Sequence, residues 1–292
     1  MPQRKPGALQ RLEAQLKLAD TYIDEKKQPD LSVLNGDMQT MPDFAAMENI
    51  KHPGLNLFVA DSVSALHALL GAMPAQFHLR CVCKLSGNPR NNQHHIYADI
   101  QRKPTGPISF IVLESTNVNE NLGTARLLWD LITRLDRDTR FSNRRITCFD
   151  TRVQKSSADC LIFCIDFALK AHRHEWEFAQ LHATHHDGRA IGNEANDPEM
   201  NVKNRKFYSI APADFLPFSF FEYAQSRLAL RCGFSFNAAN QSLFEQTQKM
   251  QAQQEIRNTP LGEKHYPASI EYRRRQFLTQ AITAIAGASH PE

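Results

Sequence analysis

The sequence predicts an α+β fold, a mixed sheet packed on one central helix with helical segments at both ends. Three observations carry this. Residues 158–172 are apolar almost all round (Leu161, Ile162, Phe163, Ile165, Phe167, Leu169), the pattern of a helix buried at the centre of a domain. Three short segments at 76–84, 95–101 and 108–113 read as strands. The two ends, 9–28 and 269–287, have helical patterns.

In chain order, Leu9, Leu12, Leu16, Ala19 and Ile23 recur at helical spacing, so 9–28 is an amphipathic helix with a charged outer face. Residues 29–58 are mixed, with Pro29, Pro42 and Pro53 as breakers. A helix over roughly 61–73 starts at Asp61 or Ser62, both capping types. Segments 76–84 and 95–101 alternate, whereas 108–113 is apolar apart from Ser109, the mark of a strand buried on both faces. Pro104-Thr105-Gly106-Pro107 separates the last two, which therefore form an antiparallel hairpin. A helix over 123–137, a strand over 146–149 and the buried helix follow. Beyond 186 the pattern weakens: a polar loop-like stretch, an aromatic one near 215–225, and a Gln-rich helix or linker at 241–258 precede the final helix. The expected organisation is an N-terminal helical segment (1–45), a catalytic domain (46–235) and a C-terminal segment (236–292).

Composition excludes several classes. Of 292 residues, 42% are apolar and 22% charged, ordinary for a globular chain. A net charge of +3 is too small to imply a polyanion partner by itself, and the basic residues lack the interleaved aromatics of a nucleic-acid surface. No 18-residue apolar run exists, so no transmembrane segment is expected. The N-terminus lacks the apolar region of a Sec signal, and Pro2 stands where myristoylation needs glycine. Six cysteines in a chain this long do not form a disulfide framework, and a reducing compartment is expected.

The chemistry concentrates around Cys160. Ser156, Ser157 and Asp159 are N-cap types, so Cys160 falls in the first turn of the buried helix. Unpaired N–H groups and the helix dipole there stabilise a thiolate, which is what a nucleophilic cysteine needs. Cys164, a turn further in, is expected to be inert core. A thiolate nucleophile also needs a base and an orienting carboxylate. His94 and His95 begin one strand of the hairpin and Glu114 ends the other, and a turn near Pro104 would set His94 opposite Glu114. His172, His174, His182, His185 and His186 cluster, and His182 and His186 share a helix face, but without a cysteine partner a solvated cluster outweighs a metal site, and none is expected.

HHIYADI at 94–100, FIVLES at 110–115 and QKSSADCLIF at 154–163, in that order, resemble the YopJ family of bacterial type III secreted effector acetyltransferases, which share the fold and triad of the ubiquitin-like-protein proteases of clan CE. The resemblance covers roughly residues 45–235. It implies Cys160 as nucleophile and acetyl acceptor, His94 as general base, Glu114 as the group that fixes the imidazole, and Gln154 with the Cys160 N–H as the oxyanion hole. The family pattern of His, four residues, then Asp fits His94 with Asp99, though His95 stays open as the base. It further implies acetyl-CoA as acyl donor, Lys, Ser or Thr of host signalling or immune proteins as acceptors, secretion into the host cell cytoplasm, and activation by inositol hexakisphosphate (IP6). For the polyphosphate, Arg273, Arg274, Arg275 and Lys264 form a C-terminal basic patch, to which Arg140, Arg144, Arg145 and Lys155 could add.

Three departures stand out. Leu161 replaces the glycine frequent after the nucleophile. No lysine stands between Lys206 and Lys249, where members can carry a self-acetylated one. The tryptophan that usually follows the catalytic histidine in the clan CE proteases is absent. A cysteine protease of ubiquitin-like modifiers with the same triad is the alternative function, and a catalytically dead host-protein-binding scaffold, favoured by Leu161 alone, is the third.

Overall fold

A computed structural model describes residues 7–84, 93–116, 122–191, 199–202, 205–210, 215–226 and 253–287, with Ala229 and Glu245 between the last two stretches. At its centre is a seven-stranded mixed sheet: β1 (Leu57–Ala60), β2 (Phe77–Lys84), β3 (His95–Arg102), β4 (Ile108–Glu114), β5 (Arg144–Asp150), β6 (Glu199–Val202) and β7 (Arg205–Ile210), in the order β1-β2-β3-β4-β5-β7-β6. β2, β3 and β4 are antiparallel, as the hairpin signal requires, while β1 and β5 join in parallel.

Alternation along these strands sends side chains to two cores. Val82, Tyr97, Ile111, Leu113 and Phe149 face the central helix α5 (Cys160–Arg173), every residue of which from Cys160 to Ala171 is buried. Cys81, Cys83, Ala98, Ile100, Phe110, Val112 and Cys148 join the other core, which α3 (Val63–Ala72) and α4 (Leu122–Asp136) cover. Ser62 caps α3, its side chain accepting from the Ala65 N–H at 3.1 Å. Even the charged positions of α5 conform: Asp166 and Lys170 are buried as an i,i+4 ion pair at 2.5 Å.

α1 (Ala8–Asp24) and α7 (Ser269–Gly287) confirm the two amphipathic ends and pack on each other. Between them the structure corrects the sequence. Residues 29–58 are not a broken stretch, because α2 runs from Leu31 to Lys51 straight through Pro42. Pro42 cannot donate to the Met38 carbonyl, a loss that in an isolated helix costs about 3 kcal/mol. Here it is offset by burial of Val33, Leu34, Met41, Phe44 and Ala45 and by an Asp30 cap that accepts from the Ser32 N–H at 2.8 Å.

Further elements were not predicted. α6 (Glu175–His186) follows α5, and β6 and β7 form a hairpin from the polar stretch after 186. β8 (Gln254–Thr259), within the stretch expected to be a Gln-rich helix or linker, pairs with β9 (Gly262–Pro267). Residues 241–252 of that stretch otherwise lie outside the described residues, Glu245 excepted. The β8–β9 hairpin is tied to the start of the chain, since the Gln28 N–H donates to the Asn258 carbonyl and the Asn258 N–H to the Lys26 carbonyl.

α6 docks on the sheet through polar groups. Ser109 hydroxyl lies 2.7 Å from His182 Nδ1 and 2.8 Å from His185 Nδ1, and His182 Nε2 lies 2.9 Å from Asp99. His186 reaches the Pro107 carbonyl and Gln101 instead. His182 and His185 are thus a buried fastening, burial pushing His185 down to about 3 and also lowering His182, while His172, His174 and His186 stay partly exposed. Among the described residues, His78, Asp99 and His182 bring three ligand-type atoms together, but the buried Arg80 Nε sits 3.2 Å from Asp99 and already supplies the positive charge.

Candidate active site

Three chain segments meet where β3 begins, β4 ends and α5 begins. His94 immediately precedes β3, Glu114 is the last residue of β4, and Cys160 is the first of α5. His94 Nε2 lies 2.9 and 2.8 Å from the two Glu114 oxygens. Glu114 is fully buried, and its Oε1 also accepts from the N–H and hydroxyl of Thr116 at 2.7 and 2.8 Å. The carboxylate is therefore fixed in orientation before it meets the imidazole. Burial works against a charged His94, but the Glu114 charge and hydrogen bonds to Cys160 and Glu114 outweigh it and hold its pKa well above the ordinary histidine value. With Nε2 on Glu114, Nδ1 is the ring nitrogen left to take the thiol proton.

The ladder corrects the register expected for the hairpin. Tyr97 pairs with Leu113 and Ile100 with Phe110, so the continued ladder sets Ile96, not His94, opposite Glu114. The error is two residues, which preserves the face, and the His94 ring spans the difference.

His95 is buried against the same sulfur: its Nδ1 lies 3.8 Å from Cys160 Sγ, as does the Gln93 carbonyl. Burial, then the His94 and Lys84 charges, push His95 down to about 3. It touches no carboxylate in the described contacts and stays neutral at any physiological pH. Leu161 is buried in the α5-side core and, with His95, Met38, Met41, Val59 and Lys84, lines a cavity of about 300 Å³ beside the nucleophile. Cys164, a turn further in, is fully enclosed, and burial pushes its thiol far up.

Gln154 sits in the loop before α5 and is held to the end of β4. Its backbone N–H donates to the Ser115 carbonyl at 2.8 Å, its Oε1 accepts from the Ser115 hydroxyl at 2.6 Å, and its Nε2 uses one of two hydrogens on the Ser156 carbonyl at 2.7 Å. Asp99, by contrast, takes no part in the site. It lies inside the sheet–α6 interface with Arg80, Tyr97, His78 and His182, and serves to anchor β3.

The basic patch does not form as expected, because consecutive helix residues diverge by about 100°. Arg273 stacks over Phe277 and Tyr223, 4.2 and 5.6 Å from the ring centroids. Arg275 is exposed and meets Asp20 of α1 at 3.0 Å. Arg274 is buried, with Asp37 of α2 at 2.9 Å and Asp159 at 2.5 Å, and so cannot contribute to a surface site. Lys264 lies on β9 opposite Arg257. Of the supplementary cations, Arg140 and Arg144 are occupied by Asp138 and Asp136, and Lys155 Nζ donates to the His265 carbonyl.

Sequence reasoning missed the network behind Cys160. Asp159 accepts from Ser156 hydroxyl, from Gln225 Nε2 at 2.8 Å and from Arg274. Gln225 Oε1 accepts from the N–H groups of Lys155 and Ser156 at 2.8 and 2.9 Å. One signal was available: Ile270, Arg274, Phe277, Leu278 and Ala281 fall at the spacing of one helix face, which makes Arg274 a core position.

The fold and the sequence both have relatives among known proteins. The fold matches that of HopZ1a crystallised in complex with IP6, with a TM-score of 0.70 at 18% identity over 94% of this chain and 98% of that one. It also matches an AvrA deletion variant with IP6 and CoA, with a TM-score of 0.67 at 20% identity and the same coverage. In sequence, the chain is 27% identical over 176 residues to a serine/threonine-protein acetyltransferase of Sinorhizobium fredii, and 23% identical over 196 residues to the serine/threonine-protein acetyltransferase HopZ1a of Pseudomonas syringae pv. syringae. Those matches cover 60% and 62% of this chain, and only 65% and 52% of the relatives' own lengths. A family model described as YopJ serine/threonine acetyltransferase matches residues 12–280, nearly the whole chain, and the protein belongs to that family.

Proposed function

We propose that the protein is an acetyltransferase that works through a thioester on Cys160. The observation that carries this is the His94 ring held between Glu114 and Cys160 at the first turn of α5. His94 Nδ1 takes the thiol proton, and the thiolate attacks the acetyl carbonyl of acetyl-CoA. The tetrahedral oxyanion forms beside the Cys160 N–H and Gln154. The CoA thiolate leaves and takes the proton back from His94, so that Cys160 carries the acetyl group. A hydroxyl or amine of the acceptor then gives its proton to His94 and attacks the thioester, and the acetylated acceptor departs with the thiol restored.

The acceptors are serine, threonine or lysine side chains of host signalling or immune proteins, reached after secretion into the host cytoplasm. Among the described residues no helix is long and apolar enough to cross a membrane. α1, α2 and α7 form the regulatory unit in this reading, with IP6 as its activator. The residues that fit a polyphosphate line a cleft of about 380 Å³ between α2, α5 and α7, where Arg173, Arg273, His52 and His172 converge. Arg273 Nε is buried there without a hydrogen-bond partner among the described residues, 3.5 Å from Asp166, while its Nη1 donates to Gln276 at 2.5 Å.

Two measurements test these statements. Wild-type protein incubated with acetyl-CoA and IP6, without acceptor, is expected to gain one acetyl mass on the peptide carrying Cys160, and to leave ubiquitin-like precursors uncut. Precursor cleavage with no adduct would establish the protease instead. For the cleft, Arg273→Gln is expected to weaken IP6 binding about tenfold by calorimetry, the scale of one charge-assisted hydrogen bond. Arg275→Gln is expected to change it little, and equal losses in both would move the site elsewhere.

A further inference from the structure

The residue before the nucleophile holds an N-cap position that it does not use as a cap. Asp159 precedes α5 with φ −99° and ψ 1°, and its side chain accepts nothing from the helix's own first turn. Aspartate is among the strongest capping residues, and an N-cap carboxylate ordinarily accepts from the second or third N–H of the helix. Here the carboxylate faces away from the helix, to Arg274 Nη2 at 2.5 Å, Gln225 Nε2 at 2.8 Å and the Ser156 hydroxyl. Arg274 also donates to the Ala158 carbonyl at 3.4 Å and to Asp37 at 2.9 Å, and Asp37 accepts from Gln15 of α1 at 2.7 Å. A continuous buried chain therefore runs from α1 through α2 and α7 to the residue that precedes Cys160.

The alternative position of that carboxylate would harm the chemistry. Returned to the cap, Asp159 would occupy the N–H groups at the start of α5 and set a negative charge against the positive end of the helix dipole. Both are what a thiolate or a tetrahedral oxyanion at Cys160 requires. We propose that Arg274 is a positioning residue: it draws the Asp159 carboxylate off the α5 N-terminus and so keeps that helix end available to the charge on Cys160. The inference rests on Cys160 being the nucleophile. It assigns the C-terminal helix a direct hold on the reacting end of α5, made by a side chain that never approaches substrate.

The charged and titratable groups around the two residues are known. Around Cys160 stand His94, His95, Glu114 and Cys164. Around Asp159 stand Arg274 and Glu271 from α7, Asp37 from α2 and Tyr266 from β9. Burial raises Glu271 to about 7 and Asp37 to about 6, so both titrate near neutrality, but neither contributes a thiolate signal.

The test is an ultraviolet titration of the thiolate in the full chain, each protein referenced to its own Cys160→Ala version. Arg274→Gln alone would strand two buried carboxylates, so it is combined with Asp37→Asn. In that double variant the Cys160 midpoint is expected to rise by about one pH unit, the scale of one nearby charge. Adding Asp159→Ala, which can neither cap nor carry charge, is expected to return it to the wild-type value, a rescue that a merely structural Arg274 would not give. Asp159→Asn alone leaves Arg274 paired with Asp37 and keeps the assay informative if the double variant does not fold, and its midpoint is expected to be no higher than wild type. A higher midpoint in Asp159→Asn, or no rescue in the triple variant, would overturn the assignment. So would a wild-type Cys160 that ionises no more readily than an ordinary thiol. The expected ionisation pattern in all variants with no acetyl adduct on wild type would count against the transferase reading alone.

Discussion

Cys160→Ala is expected to abolish acetyl transfer entirely while leaving the fold in place. The sulfur is the only atom in the site on which a thioester can form, so no residual pathway through the triad survives its removal. The effect on stability is small by comparison. Losing one buried atom at the start of α5 costs about 1 kcal/mol, and α5 keeps Leu161, Ile162, Phe163, Ile165 and Phe167 in the core. Circular dichroism and thermal unfolding should therefore follow wild type closely, while acetyl incorporation into both enzyme and acceptor falls to background. Cys164→Ala separates nucleophile from core. It removes a thiol that burial has pushed far up and that never ionises near neutrality, so turnover should be retained in proportion to folded protein. Incorporation in Cys160→Ala, lost in turn in the double variant, would reassign the nucleophile to Cys164.

The site was legible where the chemistry sits at element ends. A cap-rich loop running into an all-apolar helix announces both the helix start and the residue exposed to its dipole, and Cys160 stands there. The hairpin signal of Pro104 to Pro107 was enough to bring His94 and Glu114 to one end of the sheet, because a two-residue error in register does not change the face. The polyphosphate patch was less legible. Three consecutive arginines look like a patch in the sequence and diverge around a helix, and the apolar neighbours of Arg274 at i−4, i+3 and i+4 were the sign that it is a core residue.

The fold was readable wherever one face alternates with another, and obscured where both faces are covered. α2 has apolar residues all around because α1, α5, α7 and β1 contact it, so it shows no clean periodicity, and Pro42 completed the impression of a break. β8 and β9 carry Gln, Glu and Lys where the hairpin is exposed, and its buried side holds a charge as well, Arg257 paired with Glu271. α6 meets the sheet through His182, His185, Ser109 and Asp99, a polar interface that hydrophobic patterning cannot detect. Buried ion and hydrogen-bond networks of this kind are specified by pairs of residues distant in sequence, Asp37 with Arg274 and Asp99 with His182, and no single segment announces them.

His94→Ala is expected to lower acetyl transfer by roughly a thousandfold or more, the scale seen when a triad base is removed, which corresponds to about 4 kcal/mol of barrier. His95→Ala should lose far less in the chemical step. The two neighbours differ in partner and charge. His94 shares both oxygens of a buried carboxylate and is held well above the ordinary histidine pKa, whereas His95 is pushed down to about 3 and, among the described residues, has no carboxylate to stabilise an imidazolium. Only the first can take a proton from Cys160 and keep it through the lifetime of a thiolate. Glu114→Gln tests the cause. Burial lowers the His94 pKa and the Glu114 charge raises it, so removing the charge leaves burial to dominate and the pKa falls. Activity that depends on the imidazolium–thiolate pair is lost as pH rises through the His94 pKa, and the alkaline limb of the loading rate should therefore move to lower pH in Glu114→Gln. The same limb in His95→Ala should stay where it is in wild type, because His95 is neutral across that range and sets no charge against His94. A larger loss in His95→Ala than in His94→Ala would make His95 the base, with Glu114 then acting on it only through its neighbour.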